Sequence, residues 1–330
     1  MTRRHLINAP DEVIPEALAG FALTYPHLVA YDSEAALVLR RELTPGKVGL
    51  ISGGGSGHEP LHAGFVGTGM LDVAVAGAVF ASPTALQIHT GTVAADQGAG
   101  VLQIVKNYTG DVLNFSIARE IAADENIAVE PVLVDDDVAT TSSKVGRRGT
   151  AAVIAVEKIC GAAAEAGADL STLAALGRRV VGQARTLSLA LSACSHPGDA
   201  EPAFALPDDL VEFGVGIHGE RGTARIPFGT ADELVDQLVD PLVAELELTA
   251  SHPVIAIVNG LGGTYPLQLF VAARRLHDGL GQRGILVARS LVGSYVTSLD
   301  MHGLSITLLR ADEQLLRLWD APVRTPALTW

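Results

Sequence analysis

Apolar positions recur along this chain in two rhythms. From Asp11 to Tyr25 they follow the spacing of an amphipathic helix. Short apolar runs then predict strands over residues 47–51, 71–75 and 101–105. The first of these feeds a glycine-rich stretch that reads as a loop. A helix is predicted over 112–123, a strand over 127–134, and long helices over 150–166 and 170–194. His196-Pro197-Gly198-Asp199 interrupts the pattern, and Pro202 and Pro207 keep it interrupted, so a domain boundary is expected there. A second series follows, with a strand over 212–217, a helix over 231–248, a strand over 254–258, a helix over 266–280 and strands over 285–287 and 304–309. A short helix over 312–318 closes it. Strands alternating with helices predict an α/β protein of two domains, 1–195 and 196–330, each a mixed or mainly parallel sheet flanked by helices. Polar loops at strand ends are where such sheets place their sites.

Composition narrows the class. The 330 residues are 48% hydrophobic and 18% charged, which is ample for a sizeable core, and scarce aromatics suit helices packed closely on a sheet. The net charge of −14 argues against nucleic acid and against adsorption to an anionic membrane, because both need a basic face. Cys160 and Cys194 lack CxxC spacing and read as buried, reduced thiols. The segment Met1-Thr2-Arg3-Arg4-His5-Leu6 has no apolar signal core, and no window approaches a membrane span. A soluble, cytoplasmic protein is expected.

Three segments carry candidate chemistry. Gly49-Leu50-Ile51-Ser52-Gly53-Gly54-Gly55-Ser56-Gly57-His58 runs from apolar residues into glycine and serine and then a histidine. Glycine lets backbone N–H groups approach a small polar ligand, and histidine moves protons near neutral pH. No Gly-Lys-Ser/Thr follows, so this is not a Walker A loop, and His58 stands where a dinucleotide fingerprint needs glycine. A tight turn without ligand is the alternative. Lys106 and Asp111 lie just past an apolar strand, where both can reach a crevice; Asp111 can serve a substrate hydroxyl, cap the helix that follows, or do both. His218 ends a predicted strand between Gly216 and Gly219, with space for a small molecule, and a structural histidine is the competing reading. Asp135-Asp136-Asp137 is unsuited to one metal ion, because successive strand residues alternate in direction. A solvated turn, or a loop that supports the site, is expected there.

Together these segments resemble the substrate-binding subunits of dihydroxyacetone kinases. The matching stretches are Gly49–His62, Phe80–Thr84, Val105–Phe115, Val134–Val138, Gly146–Gly149, Phe213–Glu220, Tyr295–Met301 and Trp319–Val323, in the family's order. The resemblance implies a two-domain α/β fold and a homodimer. It implies that His218 holds dihydroxyacetone as a covalent hemiaminal, with Gly55, Ser56, Gly57 and His58 around the substrate and Lys106 and Asp111 on its hydroxyls. Catalytic roles fall on His58, His218 and Asp111, with His58 or Asp111 taking the proton of the hydroxyl that is phosphorylated. Backbone N–H groups of the glycine loop are expected to serve the ketose oxygens. So small a ligand is capped near ~9 kcal/mol of non-covalent affinity, so a covalent tether supplies orientation that contact area cannot. The chain departs from the family pattern at Ala78 and over Leu267–Phe270, where an acidic residue is usual, which leaves a related ketose such as erythrulose open.

The sequence stops at Trp330, where the family's substrate domain ends. No metal or cofactor is expected on this chain itself. ADP or ATP and magnesium are expected on a separate nucleotide-binding, DhaL-like subunit, re-phosphorylated by a phosphotransferase-system protein. A non-catalytic dihydroxyacetone sensor acting with a transcription regulator is the second reading, and retention of His58, Lys106, Asp111 and His218 together favours the enzyme.

Overall fold

Two six-stranded sheets organise the chain. The structure is a computed structural model that describes residues 5–141, 143–199 and 201–330. Met1 to Arg4, on which part of the N-terminal reading rests, lie outside the described residues. Residue contacts group the chain into two units. The first comprises Leu6–Val134, Val153–Val180 and Arg317–Trp330, and the second includes Asp135–Ala152 and Val181–Leu316.

The first unit opens with helix α1 (Val13–Thr24) and an antiparallel pair, β1 (Val29–Asp32) and β2 (Leu37–Arg40). Then come β3 (Gly49–Ser56), β4 (Val73–Val79), α2 (Ala85–Ala95), β5 (Val101–Lys106), α3 (Thr109–Asp124) and β6 (Val129–Val134). Helices α4 (Ala152–Glu165) and α5 (Leu170–Gln183) follow. The strand order is β1-β2-β4-β3-β5-β6, with β4, β3, β5 and β6 parallel to one another. β3 and β5 are buried along their whole length, as expected for central parallel strands covered on both faces. Ile51, Val73, Val75, Ile88, Val101 and Phe115 meet in the core of this unit. Thr84 starts α2 through a capping box with Gln87, the signal that places a helix where periodicity alone predicted none.

The second sheet is built from β7 (Ala184–Ser192), β8 (Leu210–Phe213), β9 (Ala224–Pro227), β10 (Val254–Gly260), β11 (Val287–Gly293) and β12 (His302–Arg310), in the order β11-β10-β12-β7-β8-β9. Only β10 and β11 run parallel, so this sheet is mixed. Helices α6 (Ala231–Glu245) and α7 (Pro266–Gln282) pack on it, α6 starting at a Thr230–Glu233 capping box and α7 at Pro266. Helix α8 (Glu313–Asp320) follows β12.

One sequence expectation needs correction here. The helix predicted over 170–194 stops at Gln183, and its second half is β7, held between β12 and β8. Leu187, Leu189 and Leu191 alternate with Thr186, Ser188 and Ser192, a strand period that follows directly on α5 and so reads as its continuation. The grouping by contacts does not follow a single cut at 195/196. The second unit takes β7 with its flanks, and the chain returns to the first unit at Arg317. Cys160 and Cys194 are buried free thiols, as expected, and burial pushes Cys160 up to about 12. No helix among the described residues is long and apolar enough to cross a membrane.

Candidate functional site

The glycine run is not a loop. β3 continues through it to Ser56, paired with β4 on one side and β5 on the other. The glycines are there because neighbouring backbone comes too close for a side chain. A Cβ on Gly53 would lie 2.6 Å from the carbonyl oxygen of Val75, and one on Gly55 would lie 2.6 Å from the amide nitrogen of Ala81. A Cβ on Gly54 would strike Lys106 Nζ. Glycine here lets charged side chains and an adjoining turn close on a strand end. Ser56 Oγ donates to Gly77 O at 2.8 Å, which pins that end to β4. Gly57, at φ +98°, donates its N–H to the Glu59 carboxylate at 3.0 and 3.1 Å.

Beyond the strand, His58 is 1% exposed and stacks on Phe80, with ring centroids 5.1 Å apart and planes 21° from parallel. Phe80 itself holds φ +55°, a backbone state rare for an aromatic residue, at the end of β4. Lys106, the last residue of β5, is fully buried and donates to Gly53 O at 3.0 Å. Its Nζ lies 3.8 Å from Asp111 Oδ2. Asp111 does not cap α3: Tyr108 holds the N-cap position, and Asp111 sits in the first turn, buried, facing the lysine. The glycine strand, Lys106 and Asp111 are thus brought together, as the sequence predicted.

Sequence reasoning missed the residues behind them. His62 Nε2 is 2.7 Å from Lys106 Nζ, and His62 Nδ1 is 2.6 Å from Glu157 Oε1 of α4. Glu157 is 0% exposed. Burial first, then the charges of Lys106 and His58, hold His62 well below the usual imidazole range. Burial pushes Glu157 well above the usual carboxylate range, opposed by Lys106 and Ser52. It also lowers Lys106, against the pull of Asp111 and Glu157. One signal was visible, a lone Glu157-Lys158 pair in an otherwise Ala/Val/Ile-rich helix. A cavity of about 390 Å³ backs the same strand, walled by Ile14, Leu18 and Phe21 of α1 and by Gly54–Ser56. Its walls are mainly apolar, with Glu59 and His62 among them, and His58, Lys106 and Asp111 do not line it.

His218 belongs to the second unit. The strand expected over 212–217 stops at Phe213, and His218 stands in the irregular segment that follows, half-buried. That segment is held by a clasp the sequence did not disclose. The His218 N–H donates to Glu220 Oε2 at 2.8 Å, and Arg148 Nη1 donates to Glu220 Oε1 at 3.0 Å. Arg148 also donates to Asp137 Oδ2 at 2.7 Å and to Gly214 O at 2.8 Å. Burial pushes Asp137 up to about 6, against the opposing charge of Arg148. The triple aspartate is therefore no solvated turn. Asp136 is buried and accepts from Thr150 N at 2.6 Å, Thr150 Oγ1 at 2.7 Å and Ala152 N at 3.0 Å, anchoring the start of α4. Asp137 holds Arg148, which clasps the segment that carries His218.

Two mixed-sheet α/β units, one with a buried lysine–aspartate pair at a strand end and one with a clasped histidine, define a protein built to handle a small polar molecule. A family model for the Dak1 domain matches residues 19–327, and the chain belongs to that family. It is 46% identical over 327 residues to the dihydroxyacetone-binding subunit DhaK of the PTS-dependent dihydroxyacetone kinase 1 of Listeria innocua, covering 98% of this chain and 99% of that one. Among solved structures, the dihydroxyacetone kinase of C. freundii superposes with a TM-score of 0.90 at 35% identity, over 100% of this chain and 60% of that chain. The dihydroxyacetone kinase operon co-activator DhaQ superposes with a TM-score of 0.91 at 34% identity, over 95% and 97%.

Proposed function

We propose that this chain is the dihydroxyacetone-binding subunit of a dihydroxyacetone kinase, a phosphotransferase with an alcohol acceptor. The observation that carries the reading is the end-to-end likeness to the Listeria subunit, over nearly the full length of both chains. The buried cluster at the end of β3 and β5 supports it, since Lys106 and Asp111 can satisfy ketose hydroxyls out of water. His218 carries the ketose as a hemiaminal. Its lone-pair imidazole nitrogen adds to the carbonyl carbon, the ring's other nitrogen gives up its proton as the carbonyl oxygen takes one, and the adduct keeps every atom of the ketose, because the bonded nitrogen has no proton with which to lose water. Glycerol, lacking a carbonyl, is refused. His58 or Asp111 accepts the proton of the hydroxyl that takes the phosphoryl group, and positioning and electrostatics do most of the rest.

The nucleotide and its magnesium are assigned to a separate subunit, as befits relatives named for dihydroxyacetone binding, with the phosphotransferase system as the source of phosphoryl groups. A cytoplasmic homodimer is the expected form. The purified chain with dihydroxyacetone and ATP is expected to give no phosphorylated product, and adding the nucleotide-binding subunit of a bacterial dihydroxyacetone kinase is expected to start turnover. Product from the chain and ATP alone would remove the division of labour. The likeness to the co-activator DhaQ favours a second reading, a ketose sensor, for which ketose binds but no subunit elicits product. Erythrulose beside dihydroxyacetone in the same assay tests whether Ala78, exposed on β4, widens the substrate range.

Gly54→Ala tests the cluster itself. The added methyl displaces Lys106 Nζ from its bonds to Gly53 and His62. Losing one charge-assisted hydrogen bond is expected to weaken ketose binding roughly 10- to 100-fold by calorimetry. Unchanged affinity in a folded variant removes Lys106 from the binding site.

A further inference from the structure

Glu157 and His62 have no part in the chemistry above, yet both are buried in contact with it. Glu157 comes from α4, ninety-five positions along the chain from His62. A carboxylate placed in a dry interior is costly unless paired, so its position calls for a reason. The hydrogen-bond directions supply one. An ammonium group has only donors, so Lys106 requires His62 Nε2 to accept. The ring's one proton then sits on Nδ1, where it is donated to Glu157 at 2.6 Å.

We propose that Glu157 and His62 are positioning residues for Lys106, a buried carboxylate–imidazole pair that fixes the imidazole tautomer and thereby keeps Lys106 a cation aimed at Gly53 O and Asp111. The titratable groups facing Lys106 are Asp111 from α3, Glu157 from α4 and His62 from the segment after β3, with His58 acting on His62. Two of its three N–H groups are committed to fixed acceptors, Gly53 O and His62 Nε2, and the third is left for Asp111 and the ketose. The same proton count admits a second arrangement, with a neutral amine on Lys106, Nε2–H on His62 and a protonated Glu157. Moving between the two shifts one proton from Lys106 to His62 and one from His62 to Glu157, without changing the net charge. Burial favours the neutral arrangement, and Asp111 favours the charged one. Glu157 thus decides whether Lys106 faces Asp111 and the ketose as a cation or as a neutral amine whose one lone pair is taken by the His62 Nε2–H.

The inference rests on the reading of Lys106 as a ketose contact, but its test does not need the ketose to bind. In chain labelled with ¹⁵N-histidine, the His62 signal is identified by its loss in His62→Gln. It is expected to report a neutral ring protonated on Nδ1 from about pH 6 to 9. Glu157→Gln can turn its amide N–H toward Nδ1, and the ring proton is then expected to move to Nε2. Lys106 is followed through its ¹³Cε shift, assigned with Lys106→Met against Lys47, Lys144 and Lys158, the other lysines of the chain. Its titration is expected to fall by about one pH unit in Glu157→Gln, a tenfold change in the proton equilibrium, and to return toward the parent value in Glu157→Asp. Ketose affinity should fall about tenfold in parallel. A wild-type His62 protonated on Nε2 or titrating as a cation near its ordinary value overturns the proposal, even if Glu157→Gln does not fold. So does a Lys106 titration indifferent to Glu157→Gln. Failure of every variant and of the parent to bind ketose, with the NMR pattern as expected, overturns the functional reading and leaves the relay intact.

Discussion

Replacing His218 by alanine is expected to abolish the ketose-dependent gain in mass of the chain and to lower kinase turnover with a nucleotide-bearing subunit at least about a thousandfold. The magnitude follows from the size of the ligand. Dihydroxyacetone offers too little surface for contacts alone to orient it, and pre-paid orientation is worth several kcal/mol in a transfer reaction. The structure makes the variant clean. The clasp on this segment runs through the main-chain N–H of residue 218, from Glu220 to Arg148 and Asp137, and alanine keeps that N–H. Intact mass after incubation with ketose and gentle trapping reads the first effect, and a melting curve verifies the fold. The parent should gain the full mass of the ketose with no loss of water. A gain retained by His218→Ala moves the tether to another residue.

Asp72→Ala is expected to cost about 3–5 kcal/mol of stability, the penalty for stripping one partner from a buried ion pair. Asp72 is 1% exposed and sits just before β4. Its carboxylate accepts from Lys47 Nζ at 2.5 Å, from the Leu50 N–H at 2.9 Å and from Arg40 Nη1 at 3.2 Å. Without it, Lys47, itself 6% exposed, keeps only the carbonyl of Val48 at 3.0 Å, and the Leu50 N–H of β3 is left without an acceptor. The melting temperature should drop on the order of 10 °C. Arg274→Ala is the contrasting case. Its ion pairs with Asp232 and Asp278 are roughly half-exposed, the solvent screens them, and no measurable change in melting temperature is expected. Equal effects from the two variants, measured by thermal unfolding, would sink the argument from burial. Because Asp72 fixes the entry of β3, the variant should also loosen the glycine end where Lys106 bonds.

Elements with one covered and one wet face were legible. α6 and α7 have clear apolar stripes, a capping box or an N-terminal proline, and were placed within a few residues. Elements covered on both faces were not. β7 reads as more helix because α5 runs straight into it, which hides the alternation of Leu187, Leu189 and Leu191 with buried Thr186 and Ser188. β3 reads as a loop because its glycines carry no side chain from which to read a period, although they are the most tightly contacted part of the sheet. Short β1 and β9 at the sheet edges, and β2 next to β1, have too few residues to set up a pattern.

The candidate residues divide in the same way. His58, Lys106, Asp111 and His218 announce themselves, because glycines and strand ends flank them and their order along the chain resembles a known family. Those features are local, so sequence alone settles them: an acidic α/β protein, a glycine-lined strand end, a lysine five residues before an aspartate, and a histidine between glycines. Tertiary structure alone decided what stands behind each group. Nothing near Glu157 in the chain points to His62, and nothing near Arg148 points to Glu220 or to the N–H of His218. Such pairs depend on long-range packing that brings distant segments within hydrogen-bond range and removes water from between them. The same desolvation sets which protonation state each group holds.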